Sequence, residues 1–206
     1  MILCSHCTTP FGRHVLMAVY VLGLLEKVLI RDTFPQNPKS CFLAANPLGK
    51  IPTLITKEGV FYDSRVILEY LNLHSKTDIF PSKRDEYFRV LVNLSRVLGI
   101  LDSAILIVYE SRLRPKDKFV ESIVIRQRSK ILRALTQINL EDCEYKSGRI
   151  PNVSEIGLAC CLDYLDFRQI LDWRECAPNL IEWIKAYSLI VPGYNETYPS
   201  DPIEVK

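Results

Sequence analysis

Neither sign of charge prevails in this sequence. Its 26 Lys and Arg stand against 24 Asp and Glu, a formal net charge of +2 over 206 residues. Such a balance leaves no electrostatic footprint for nucleic acid or an anionic membrane surface, and neither is expected as a partner. No unbroken apolar run reaches the roughly 18–20 residues that a membrane-spanning helix needs. The apolar stretch from Val15 to Leu25 is shorter, and Arg13, His14 and Glu26 bracket it. With no basic leader and no small-residue cleavage site, it reads as a buried helix and not as a secretory signal. Repeats and low-complexity segments are missing as well. So is an even, regularly spaced set of cysteines: there are seven, which argues against a secreted disulfide framework and for reduced thiols in the cytoplasm. Cys4 and Cys7 have the spacing of half a zinc site, but no second such pair follows, so no metal is expected.

What is present is a globular composition, 48% hydrophobic and 24% charged. Ile2 to Cys4 suits a short buried strand. Thr8-Thr9-Pro10 reads as a helix start, with hydroxyl residues at the cap and proline in the first turn. Val15, Leu16, Val19, Leu22 and Leu25 follow at helical spacing. Val28 to Ile30 is a second strand and Cys41 to Ala45 a short helical piece. Thr53-Leu54-Ile55 and Val60-Phe61-Tyr62 flank a Gly-containing turn and read as a hairpin. Asp63-Ser64 caps a helix whose face is Val66, Ile67, Tyr70 and Leu71. The order is β-α-β-α-β-β-α. From His74 to Ser82 the chain turns polar, and every later pattern is helical. Helices are expected over about Arg84–Arg112 and Lys116–Leu140, from near Asn152, and from near Pro178. An irregular tail rich in Pro and Tyr begins at Val191. Asn152-Val153-Ser154-Glu155 has the form of a capping box, and Trp173 and Trp183 read as packing residues.

The segment Asn46-Pro47-Leu48-Gly49-Lys50-Ile51-Pro52-Thr53-Leu54 carries chemistry. Proline at the head of a hairpin strand cannot donate to the ladder. A cis Ile51-Pro52 bond, a form confined almost wholly to X-Pro, would turn the Ile51 main chain outward toward a ligand. Asp63 and Ser64 follow at a helix N-terminus, where free N–H groups and the helix dipole favour a carboxylate. An aspartate there would also hold an ammonium. The pair therefore fits an amino-acid terminus. The alternative is that both residues only cap the helix.

The run NPLGKIP, a hairpin, then YDSRVILEYL resembles the glutathione-binding signature of cytosolic glutathione transferases, bacterial members in particular. TTPFGRHV resembles their first loop and helix. GILDSA, RQRSKILRAL and IPNVSEIGLACCLDYLDFR extend the resemblance through the helical half. It implies α/β plus all-α architecture: a thioredoxin-like domain over 1–76 and an all-helical domain over 83–206. It implies glutathione as co-substrate, a small electrophile as second substrate, a homodimer and a role in detoxification. Ile51 would pair its main chain with the cysteinyl part of glutathione beside a cis Pro52. Asp63 and Ser64 would hold the γ-glutamyl end. Lys50 would meet the glycyl end, with Lys39 matched more loosely. Asp102 resembles an acid that reaches the partner subunit's glutathione; a solvated helix-face charge is the alternative.

The catalytic position departs from the resemblance. Where family members place Tyr, Ser or Cys before the Pro-Phe pair, this chain has Thr9. Its hydroxyl can donate to a thiolate, while its methyl restricts the rotamer and crowds the sulfur. Low activity on general electrophiles is the expectation. Ser5, Cys7 and Thr8 are the alternatives in the same loop. The wall for the second substrate is expected from Leu98 to Tyr109 and from the tail. Two other functions share this scaffold: a glutathione-dependent peroxidase or disulfide reductase, and a non-catalytic binding protein.

Overall fold

The computed structural model describes residues 1–34, 39–139 and 149–200. The first third alternates as expected: β1 (Ile2–Ser5), α1 (Pro10–Val21), β2 (Leu29–Asp32), α2 (Ser40–Ala45), β3 (Thr53–Ile55), β4 (Val60–Phe61) and α3 (Ser64–Leu73). The strands form one sheet in the order β2-β1-β3-β4. β1 runs parallel to β2 and antiparallel to β3, and β3 and β4 make the hairpin. The parallel pair requires a crossover, and α1 supplies it. Leu3 and Cys4 at the centre are fully buried, whereas all of β2 is exposed. β2 is an edge strand, and its exposed Arg31 and Asp32 discourage further pairing. It starts one residue later than the apolar run suggests, because Val28 is spent in the core. On α3 the buried side is Ile67, Leu68 and Leu71, while Val66 is 46% exposed.

The helical part follows as α4 (Arg84–Arg112), α5 (Glu121–Asn139), α6 (Val153–Phe167) and α7 (Asn179–Ile190). Two boundaries differ from the sequence pattern. Lys116–Lys118 forms a separate 3-10 turn after Pro115, so α5 starts only at Glu121; Leu140 lies outside the described residues. Leu25 belongs to another 3-10 turn and is exposed, because Gly23, at a φ of 65°, ends α1 before it. By length and composition α4 passes for a membrane-crossing helix, with a stretch of mean hydropathy 1.9. The sequence pattern had not singled out that stretch. Half of it is buried in the protein, packed on α5 and α6.

α6 is the central helix: 12 of its 15 residues are buried, so it is apolar almost all round. Its start is the expected capping box. Asn152 Oδ1 accepts from the Ser154 and Glu155 amides, and Glu155 accepts from the Asn152 amide at 2.8 Å. α1 lies directly on α6. Gly157 permits the approach, since a Cβ there would fall 2.9 Å from the His14 ring. The His14 Nε2–H donates to the Val153 carbonyl at 2.9 Å. Further along, Arg13 meets Asp163 at 2.7 Å, both buried. The tail packs over this pair. Tyr194 donates to Asp163, its carbonyl accepts from Arg13, and the Arg13 Nε–H reaches the Thr197 hydroxyl. Trp173 and Tyr187 are likewise core residues, with Tyr187 donating to Met17 Sδ.

His14 is fully buried, and burial pushes its pKa down to about 4 against the opposing bond to Val153. The folded protein therefore binds fewer protons than the unfolded chain between pH 6.5 and 4. This contribution to stability is complete above pH 6.5 and is lost as pH falls through that window. At pH 5 the loss is about 2 kcal/mol. Urea denaturation at pH 7.5 and pH 5 is expected to show that much less pH dependence in His14→Gln, which keeps a donor for Val153, than in the parent.

Candidate active site

The cleft that receives the predicted residues has a volume of about 600 Å³. The loop after β1 and the start of α1 form one side, with His6, Thr8, Thr9 and Phe11. The turn before β3 supplies Gly49, Lys50 and Ile51. α4 provides Asp102, Ile105, Leu106, Val108, Tyr109 and Arg112, and α6 ends against it with Tyr164 and Arg168.

The Ile51-Pro52 bond is cis. Its scaffold is Asn46, which is wholly buried. The Asn46 amide donates to the Lys50 carbonyl and to the Thr53 hydroxyl, both at 2.9 Å, and its Oδ1 accepts from the Leu48 amide. Thr53 donates to the same Lys50 carbonyl at 2.8 Å. These bonds fix the turn and leave the Ile51 N–H and C=O without a partner among the described residues. Gly49, at a φ of 62°, supplies the turn that proline and asparagine begin.

Asp63 caps α3. Its Oδ1 accepts from the Arg65 amide at 2.9 Å and, at 3.5 Å, from the Ser64 hydroxyl. Capping and ligand holding are thus compatible, because Oδ2 keeps no partner among the described residues. Asp102 faces its own chain's cleft beside Lys50 and Ile51. Burial raises its pKa, and the Asp63 carboxylate raises it further against Lys50 and Arg65. Asp63 and Ser64 are not among the residues that line this cleft, but Asp63 is near enough to Asp102 for the two carboxylates to repel, an arrangement that favours a cation between them. Lys50 is exposed. Lys39 is the N-cap residue of α2 and does not line the cleft.

In the loop, the four hydroxyl and thiol groups part company. Ser5 is buried in β1 beneath Gly12, where a Cβ would fall 2.1 Å from its Oγ. The Cys7 thiol is exposed, donates to the Ser200 carbonyl at 3.4 Å and does not line the cleft. The Thr8 hydroxyl is engaged with His6 Nδ1 at 2.9 Å. Thr9 lines the cleft, and its hydroxyl forms no hydrogen bond within the described residues. Its methyl sits over Gly12, where a Cβ would fall 2.4 Å away. The N-terminus of α1 has no side-chain cap and no acid in its first turn, whereas α3 and α6 both carry a side-chain cap. An uncapped helix start beside a free hydroxyl is suited to an anion.

His6, Arg112, Tyr164 and Arg168 line the cleft unforeseen. The Thr8 amide donates to His6 Nδ1 at 3.3 Å, which places the proton of the neutral ring on Nε2. Tyr164 and Arg168 are one helical turn apart, a spacing that allows them to meet. In sequence they look like ordinary residues of a helix end. The described part of the tail, expected as a wall, does not line the cleft, because its tyrosines are committed to Arg13 and Asp163.

Residues 3–76 match the family described as glutathione S-transferase, N-terminal domain. The uncharacterized GST-like protein YibF of Escherichia coli K12 is 31% identical over 183 residues, covering 86% of this chain and 89% of that protein. A glutathione transferase family member from Pseudomonas fluorescens Pf-5, solved with bound glutathione, is 32% identical with a TM-score of 0.88, covering 97% of this chain and 99% of that one. The same description applies to a second structure from that organism with bound S-(propanoic acid)-glutathione, at 32% identity, a TM-score of 0.86 and coverage of 98% and 100%.

The Asn46→Ala variant removes three hydrogen bonds at a buried position. Some of its former partners then have no replacement, at about 1–3 kcal/mol for each group left unsatisfied. Chemical denaturation is expected to show a loss of about 2–3 kcal/mol.

Proposed function

Because the chain belongs to the glutathione S-transferase family, we propose that it binds glutathione along the Ile51 edge and activates its thiol beside Thr9 for attack on a small electrophile. The free Ile51 amide and carbonyl would pair with the cysteinyl part, next to Pro52. Asp63 Oδ2, Ser64 and Asp102 would take the γ-glutamyl end, and Lys50 the glycyl carboxylate. Lys39 is left to a supporting electrostatic role. The sulfur would then lie at the start of α1.

The observation that carries the reading is the unspent Thr9 hydroxyl at an uncapped helix N-terminus. An ordinary thiol has a pKa of about 8.5. Bringing it to about 6.5 requires about 2.7 kcal/mol of preference for the thiolate. One hydrogen bond to a charged acceptor and a helix N-terminus together supply energy of that order. The thiolate then forms a carbon–sulfur bond as the leaving group departs with its electron pair, and the thiol proton passes to solvent. Bound glutathione and a glutathione thioether in solved relatives support the substrate assignment.

A homodimer accords with the apolar residues that α3 and α4 leave exposed, Val66, Phe88 and Val92. A domain division at 1–76 and 83–206 and a cytoplasmic setting complete the proposal. Threonine in place of the usual catalytic residue lends some support to the peroxidase or reductase reading, which the hydroperoxide comparison below separates from this one.

Glutathione is expected to bind in calorimetry and to lose at least about tenfold in affinity in Asp63→Ala, a loss of about 1.4 kcal/mol. Thr9→Ala is expected to lower turnover of an activated aryl chloride by about 10–100-fold, with Thr9→Ser retaining most of it. A folded parent with no affinity for glutathione would overturn the proposal, and hydroperoxide turnover exceeding that of the aryl chloride would replace it with the peroxidase reading.

A further inference from the structure

The transferase chemistry draws on Thr9 and leaves His6 without a task. His6 directly follows β1. It is only 9% exposed, yet it lines the cleft together with Thr8 and Thr9. Its ring is held from two sides. Nδ1 accepts from the Thr8 amide at 3.3 Å and from the Thr8 hydroxyl at 2.9 Å, with Cys7 Sγ at 3.9 Å. Phe34 meets the ring edge-on, the centroids 4.7 Å apart and the planes at 89°. A backbone amide can only donate, so Nδ1 presents its lone pair and the proton of the neutral ring sits on Nε2. Nε2 has no hydrogen-bond partner among the described residues. A donor on a side chain buried this far is normally paired. The cleft that His6 lines is where a ligand would supply the acceptor.

Its position narrows what that acceptor can be. His6, Thr8 and Thr9 belong to one loop and stand on one side of the cleft. The glutathione sulfur would lie on that side, at the start of α1. When a thiolate displaces a group from a saturated carbon, the group departs opposite the sulfur and so away from this loop. Conjugate addition is different. The carbonyl oxygen of an enone gains the negative charge and stays attached, and the s-cis form folds it back toward the attacked carbon. An N–H donor whose direction is set before the reaction stabilises such an oxygen without rearrangement. Ile105, Leu106 and Val108 of α4 offer apolar surface to the rest of the molecule.

We propose that His6 is a catalytic residue, its Nε2–H donating to the carbonyl oxygen of an α,β-unsaturated ketone or aldehyde with an apolar substituent. This rests on the transferase reading given above. The thiolate bonds to the β-carbon, the carbon–carbon π pair moves toward the carbonyl carbon, and the carbonyl π pair moves onto oxygen. The Nε2–H hydrogen bond strengthens as that oxygen becomes an enolate, and His6 keeps its proton throughout. Solvent then protonates the α-carbon, which returns the proton that the thiol released, so the addition needs no further reactant.

The test compares benzylideneacetone, an enone, with benzyl chloride, which develops no oxyanion. Each kcat/KM is divided by the uncatalysed rate with glutathione at the same pH. His6→Phe keeps a ring against Phe34 and removes the donor, and the ratio of enone to chloride is expected to fall about tenfold or more. His6→Gln, which keeps an N–H donor, is expected to restore most of that ratio. Glutathione affinity by calorimetry reports that each variant is folded. Isotope-edited infrared spectra of the bound benzylideneacetone–glutathione adduct give a readout without turnover: its carbonyl stretch is expected at lower wavenumber in the parent than in His6→Phe. That shift supports the inference even if neither electrophile reacts, an outcome that would overturn the transferase reading alone. Equal losses on both electrophiles make His6 a support for its loop, and a loss confined to glutathione affinity makes it a glutathione contact. Either result, or a carbonyl stretch that His6→Phe leaves in place, overturns the inference and leaves the transferase reading standing. A folded parent that binds neither glutathione nor the adduct overturns both.

Discussion

The buried contact between Arg13 and Asp163 is the constraint on which the arrangement of the site depends. It joins the helix that starts at Thr9 to the helix that ends at Arg168, 2.7 Å apart at the contact. Two charges taken out of water require both a close partner and saturation of their remaining hydrogen-bonding capacity. Both conditions are met here by the tail: Tyr194 and Thr197 complete the set around Arg13 and Asp163. A charge left without its partner at such a site costs about 3–5 kcal/mol, so neither residue can change alone. Burial raises the Asp163 pKa while Arg13 and Tyr194 oppose it. The pair is weak evidence for net stability, and its consequence is positional. Asp163 faces α1, and its neighbour Tyr164 faces the cleft. One turn of α6 thus relates the helix start that would face the sulfur to the cleft wall at Tyr164.

The same requirement for saturation separates structural polar groups from available ones. Asn46 is fully buried and fully used. Asn152 and Glu155 satisfy one another's main-chain amides, and Arg149 binds Glu155 at 3.0 Å. Against this background several groups at the site are unspent among the described residues: the Ile51 main chain, Asp63 Oδ2, the Thr9 hydroxyl and the first amides of α1; in the core, His14 Nδ1 and Trp173 Nε1 are unpaired as well. Ile51, Thr9 and the start of α1 line one cleft, and Asp63 stands outside its lining but close enough to Asp102 on its wall for the two carboxylates to repel. Polar groups close to a protein interior are normally paired, so their clustering locates the ligand better than the shape of the cleft does.

Much of this was legible in the sequence, and the reasons differ by element. The NPLGKIP run constrains its own backbone through two prolines and a glycine, so a local pattern determines a local structure. The capping box at Asn152 and the proline at the start of α1 act within one turn of their own helices, and both were readable for that reason. Arg112, Tyr164 and Arg168 were not. Their place on the cleft depends on how α4 and α6 pack, which no spacing within one segment reveals. The tail was misplaced for a related reason. Aromatic and Pro-rich composition suggests a pocket wall, but Gly193, at a φ of 82° and with Tyr20 in the space a Cβ would take, lays the tail flat on α1. Its tyrosines then reach the buried pair and not the cleft.

Threonine at the first position of the site becomes intelligible through Gly12. The extra methyl relative to serine was expected to crowd the sulfur. In the structure it occupies the space above Gly12 that any larger side chain there would fill. Because β-branching leaves few rotamers, a methyl seated on Gly12 also restricts where the hydroxyl can point. Serine would have the same donor with more freedom. The methyl therefore replaces conformational choice with packing, and the hydroxyl stays available at the helix start with its direction already chosen. That is preorganisation of a single donor, of the kind that matters where charge must be stabilised without rearrangement. It depends on Thr9 and Gly12, three apart in one turn, on Ser5 packed against the same glycine, and on the anchoring of α1 one residue later by Arg13.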